Sequence, residues 1–280
     1  MRPMCRQIFA LTVASLLSLA AFPQQPRAEN LPRLEEFLEV TGFDVALDSI
    51  RLSADTAPQM LGLETQAFGS EWSRLVKEVF APEILHDMAL EILDNTLSDE
   101  LLSHATAFYN SDLGKRLVAV ENKSHMVEED GLKSESGDQI IEGLTGIESP
   151  RIAILQRLNG ASDVEDSSVN AIQEVQVRFL MAAAAAGVID LQMDEPDLRE
   201  AIKGQQEEMR TSIRASALAN AAYTYQAFSD SEVAAYAEAL EDPKMQKVYA
   251  LMNAVQYEIM ANRFEAIAVR LSAMQPSQEL

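Results

Sequence analysis

The chain has 280 residues, with 22 lysines and arginines against 44 aspartates and glutamates and a formal net charge of −22. A surface of that sign repels phosphate backbones and anionic headgroups, which argues against nucleic-acid binding and against peripheral attachment to anionic lipid. The single cysteine, Cys5, lies in the N-terminal segment, so a processed chain holds none, and disulfides, thiolate metal sites and cysteine nucleophiles are excluded.

In chain order, residues 1–28 read as a secretory signal peptide, which places the protein in the periplasm. Arg2 and Arg6 precede an apolar run over 8–21 that is too short and wrongly flanked for a stable membrane span. Ala20, Ala21 and Ala28 are alternative cleavage positions. No second candidate span follows. The rest is expected to be all-α: a helical bundle built from two degenerate copies of a helical domain, 29–126 and 166–275, joined by a linker with short helices over 127–165.

The first copy opens with a short helix ending near Gly42. A second helix over 43–61 carries Val45, Leu47 and Ile50 and is bent or stopped by Pro58. A long helical stretch over 68–97 bears Trp72, Leu75, Val76, Val79 and Phe80, breaks at Pro82, and resumes its stripe with Leu85, Met88, Ile92 and Leu93. Residues 97–117 then read as helix, break, helix. Ser98 is the expected N-cap, and Asp99 and Glu100 place negative charge at the positive end of the helix dipole. Leu102, Ala105, Phe108 and Tyr109 line one face. Asn110, Ser111 and Asp112 compete for backbone hydrogen bonds and break the helix. Gly114 is costly inside the next helix unless a neighbouring backbone approaches it closely.

Residues 125–138, polar and with Gly131 and Gly137, read as the hinge between halves. Helix starts are expected at Pro150 and Pro196, and a turn over 161–168. A helix over 169–189 carries the small-residue run 182–186, and one helix from Pro196 runs through Tyr223. Near the C-terminus the hairpin pattern returns. Ser229 and Glu232 fit a capping box, and Asp242-Pro243 is a cap followed by proline at the first helical position. Aligning the two hairpins on their glutamates pairs Glu100 with Glu232, Phe108 with Leu240 and Lys115 with Lys247. A long helix then extends through Ile259, Phe264 and Leu271.

The run Ser98-Asp99-Glu100-Leu101, followed by Phe108-Tyr109-Asn110-Ser111-Asp112-Leu113-Gly114-Lys115, resembles the core signature of a bacterial envelope family called domain of unknown function 2059. The resemblance is best over 31–123. The second hairpin keeps Asp242-Pro243 but lacks the aromatic pair and the glycine. The resemblance implies an exported helical protein. It carries over no activity, cofactor or site residue.

Chemistry-bearing residues are sparse. Glu83 and His86 have the E-x-x-H spacing of di-metal bundles, but such sites need a second copy and further glutamates facing inward. His104 reads as a half-buried packing residue and His125 as part of a solvated charge run. Met245 and Met252 fall at core spacing rather than in a copper site. Hydrolase elbows, nucleotide loops, zincin motifs and calcium loops are missing from the sequence. No catalytic, cofactor-binding or metal residue is therefore assigned, and no cofactor. The expected function is a non-enzymatic binding or envelope-assistance role, with an envelope protein or a small apolar ligand as partner. The alternatives are a small-molecule or lipid binder using an apolar cleft between the halves, and a metal-dependent enzyme using Glu83 and His86.

Overall fold

The computed structural model describes residues 27–63, 69–127, 130–162 and 164–274, so Cys5 and all but the last two residues of the signal peptide expected over 1–28 lie outside the described residues. All regular elements among the described residues are helical. Helices α1 (Arg27–Thr41) and α2 (Phe43–Ser53) meet at Gly42, whose φ of 70° is a left-handed conformation suited to glycine. A 3₁₀ turn (Ala54–Thr56) leads into the short α3 (Ala57–Met60), with Pro58 in its first turn. Helices α4 (Gly69–Val79) and α5 (Pro82–Thr96) divide at the expected proline, which takes a position where a missing N–H does no harm.

Helices α6 (Asp99–Tyr109) and α7 (Asp112–His125) form the first hairpin. The Ser98 and Ser111 side chains accept from the N–H groups of Leu101 and Gly114. Next come α8 (Asp130–Gly146), α9 (Arg151–Ala161), α10 (Val164–Ala185), α11 (Glu195–Lys203) and α12 (Gln206–Thr224). The second hairpin is α13 (Asp230–Leu240) and α14 (Pro243–Leu271), with the capping box of Ser229 and Glu232 formed in full and Asp242 capping α14.

Helix α14 is the axis of the fold. Its 29 residues bury Met245, Val248, Met252, Val255, Ile259, Phe264, Ile267, Ala268 and Leu271, a stripe that recurs every three or four residues and keeps one long face against its neighbours. Helices α4, α5, α6 and α10 pack along it. Phe264 holds the far end, edge-on to Phe80 at 6.0 Å and to Phe179 at 5.3 Å. Each such side chain, fully buried, contributes about 1.5–3 kcal/mol. Arg178 on α10 grips α14 through Glu258 and Glu265, at 2.8 Å each.

Two expectations change. The hinge expected over 125–138 is instead occupied from Asp130 onward by the 17-residue α8, and α9 follows as one of the helices expected within 127–165. Gly137 sits inside α8 against α12, where a Cβ would fall 2.2 Å from the Ala219 carbonyl oxygen, so this glycine serves close helix packing. Leu155, Leu158 and Ala161 of α9 belong to one contiguous hydrophobic cluster with residues from α1 to α14. The single helix expected from Pro196 to Tyr223 divides at Gly204 and Gln205 into α11 and α12, as glycine's poor helix propensity allows.

The hairpins are alike in local build. Helices α6 and α13 both have 11 residues. Matching caps pairs Ser98 with Ser229 and Ser111 with Asp242, which sets Tyr109, not Phe108, opposite Leu240. Aligning on the glutamates slips by one residue because Glu100 is the second residue of its helix, whereas Glu232 is the third, where a capping box needs it. The hairpins also face each other. Glu100 pairs with Lys244 at 2.7 Å, and Arg116 with Glu232 at 2.6 Å. Beyond the hairpins the helix lengths do not correspond, and a duplicated domain is not established.

Gly114 has the role its position implied. A Cβ there would meet the Phe108 carbonyl oxygen at 2.4 Å, whereas one on Gly143 of α8 would meet nothing within 4 Å. Gly114→Ala is expected to lower stability by about 2 kcal/mol through the forced backbone shift. Gly143→Ala is expected to raise it by up to about 1 kcal/mol through helix propensity. Urea midpoints of the two variants check this pair, and equal shifts would contradict the packing assigned to Gly114.

Candidate ligand cavity

A cavity of about 430 Å³ opens where α1, α2 and α7 meet α8, α9, α12, α13 and α14. Its volume falls in the range of small-molecule sites, roughly 300–1,000 Å³. Three alanines, Ala46, Ala217 and Ala221, leave the space unfilled, the last two one turn apart on α12. The wall is mixed. Phe43, Leu158, Leu240 and Met252 give apolar surface, and the amides of Asn159, Asn220, Asn253 and Gln256 interrupt it.

Glu121, half-buried on α7, is the one carboxyl among the lining residues. It sits on the stripe of α7 that also buries Gly114, Leu117, Val118 and Ser124. The Tyr225 hydroxyl donates to its Oε1 at 2.7 Å. Burial pushes the Glu121 carboxyl above the usual glutamate value, while the hydrogen bonds from Tyr225 and Tyr236 pull in the other direction. Behind it three phenols share hydrogen bonds. The Tyr236 hydroxyl lies 2.7 Å from that of Tyr249 and 3.3 Å from that of Tyr109, and Tyr109 also bonds Tyr249. Burial, the largest cause, raises all four phenols, and the charge of Glu121 adds to the rise. Phe108 stacks on Tyr236 at 5.8 Å, so the family-like aromatic pair is part of this cluster.

Elsewhere along the wall, Ser124 and Thr224 bond each other through their hydroxyls at 2.8 Å. Lys133 donates to the Ser124 carbonyl at 3.3 Å. His125 is pushed below the ordinary histidine value, first by desolvation and then by the charge of Lys133. His125 is therefore a cavity residue, not only part of a charge run.

Glu83, His86 and His104 lie away from this site, whereas Met252 is part of its wall. Glu83 is exposed on α5, and His86 reaches α2 instead, with Nε2 at 3.0 Å from Asp48 Oδ1 and 3.4 Å from the Asp44 carbonyl oxygen. Among the described residues, no three histidine, cysteine, aspartate or glutamate side chains gather as a metal site. His104 pairs with Asp242 at 3.1 Å, joining the two hairpins. Met245 and Met252 are buried in the core, as their spacing implied. Among the described residues, no helix is long and apolar enough to cross a membrane.

The raised pKa of Glu121 has a defined sign for stability. A native carboxyl raised above its unfolded value binds more protons than the unfolded chain between the ordinary value of 4.5 and the raised one. This contribution is favourable to folding at low pH and is lost as pH rises through that window. Glu121→Gln keeps an acceptor for Tyr225 and removes the titration. The variant is therefore expected to gain stability relative to the parent as pH rises above the ordinary glutamate value of 4.5 in urea unfolding. A difference that stays constant through that rise would show that the carboxyl is not desolvated.

Comparison with known proteins adds a family and nothing closer. No curated protein and no solved structure matches the chain. The model of a family described as "Uncharacterized protein conserved in bacteria (DUF2059)" matches residues 83–142, which run from α5 to α8. The segment holding the first hairpin, its aromatic pair and Glu121 is thus a match to that bacterial family, the one its hairpin motif resembles.

Proposed function

We propose that this is an exported, non-enzymatic binding protein that holds a small molecule in the cavity around Glu121. The cavity itself carries the reading. It is lined from eight helices, has the volume of a small-molecule site, and sets one carboxyl, several amides and hydroxyls, His125 and Lys133 among apolar side chains. Its hydroxyls are engaged with one another, with Glu121 or with backbone carbonyls rather than with a histidine base, which fits binding better than nucleophilic chemistry. The cavity lies where the N-terminal helices meet the C-terminal ones. Its mixed wall suits an amphipathic molecule better than a wholly apolar one. Export and a periplasmic location rest on Arg2, Arg6 and the apolar run that follows them. The equal length of α6 and α13 and the matched caps of the two hairpins support reading them as degenerate copies of one unit.

Native mass spectrometry of protein purified gently from its own cells tests this reading. A bound small molecule is expected on the parent chain. Ala217→Trp, which fills the cavity from α12, is expected to lose that mass while keeping its helical circular dichroism. A bare parent chain, or a bound mass that survives Ala217→Trp, would overturn the assignment of this cavity.

A further inference from the structure

We propose that the ligand of this cavity carries a protonated amine, and that its ammonium group sits against the Glu121 carboxylate with the rings of Tyr225 and Tyr249 beside it. The inference rests on the binding reading above and adds the chemical class. Glu121 receives only phenol hydrogen bonds, from Tyr225 at 2.7 Å and from Tyr236. None of the ion pairs resolved among the described residues includes it, although Arg116, Arg151 and Arg157 on neighbouring surfaces all find carboxylates. Lys133 also lines the cavity, and its ammonium donates to the Ser124 carbonyl at 3.3 Å.

A carboxylate is an acceptor only, and an ammonium brings three donors and no acceptor. An ammonium would therefore use the lone pairs that two phenols leave open. Phenol rings present negative faces to a cation. The amides of Asn220 and Asn253 offer both donors and acceptors to the rest of the molecule. The chain's net charge of −22 raises the local concentration of cations and repels anions. A neutral polyol would satisfy the amides but leave the carboxylate without a counter-charge, and an anionic ligand would meet it unfavourably.

The test pairs protonated amines with neutral isosteres on the purified full chain: ethanolamine with ethylene glycol, and glucosamine with glucose. Isothermal titration calorimetry gives each affinity, for the parent and for Glu121→Gln, whose fold is checked by its melting curve. At least one amine is expected to bind about tenfold or more tightly than its isostere, as a charge-assisted hydrogen bond implies. Glu121→Gln is expected to erase that ratio, weakening the amine more than its neutral isostere. Equal binding of the two members of every pair, or amine binding that Glu121→Gln does not weaken, would overturn the proposal. So would a native ligand without a basic nitrogen, and that result would leave the cavity itself standing as a binding site. A chain that carries no native ligand and binds no member of the panel loses both readings together.

Discussion

Three phenol hydroxyls inside the core, those of Tyr109, Tyr236 and Tyr249, must find partners, and the way they do so ties the fold to its cavity. A buried hydroxyl left unpaired costs about 1–3 kcal/mol. Here the hydroxyls pair among themselves across both hairpins. Tyr109 ends α6, Tyr236 lies in α13 and Tyr249 in α14, so the network holds only if the two hairpins keep their mutual placement. Tyr236 extends it to Glu121 on α7, and Tyr225 reaches the same carboxyl from the end of α12. The polar network of the core therefore ends on the one carboxyl that faces the cavity.

Close helix approach sets the walls around that carboxyl. Gly114 lets α6 and α7 fold back tightly, Gly137 lets α8 lie against α12, and Gly42 turns α1 into α2 beside Asn122 of α7. Each contact fixes a helix that contributes to the cavity wall. The space between exists because α12 and α2 present alanines where larger side chains would close it. Packed interiors leave few such voids unless something occupies them. The volume thus follows from the choice of small residues on a few helices held at fixed distances.

Local chemistry made most of the helices legible in the sequence, because caps, prolines and apolar stripes act over a few residues. Ser98, Ser111, Ser229, Asp242, Pro82 and Pro243 all stand where the helices start or restart. Reading 125–138 as a hinge shows where local signals mislead, since α8 runs through it from Asp130. Glycine and charge mark a turn only when no neighbouring helix needs the space, and α12 needs Gly137. The register of the second hairpin slipped for a related reason, since a glutamate serves the dipole at one helix position and a capping box at the next. The cavity was hidden because its lining comes from residues far apart in the chain. One signal did exist. Glu121 continues the stripe of Gly114, Leu117 and Val118, and an acid on a buried stripe calls for an explanation.

The match to a bacterial family over residues 83–142 includes Glu121 and Tyr109 but stops short of most of the cavity wall. Tyr225, Tyr236, Tyr249 and the amides of α12 and α14 all lie beyond it. A segment ending at residue 142 would leave Glu121 in water, without the phenols that bond it and without the burial that raises its pKa. The family segment therefore supplies the charged group, and the later helices supply the surroundings that make it a site. Chemistry at this position belongs to the longer chain, and α14, which pairs with the hairpin helix α6 and also carries Tyr249, is the element that joins the two.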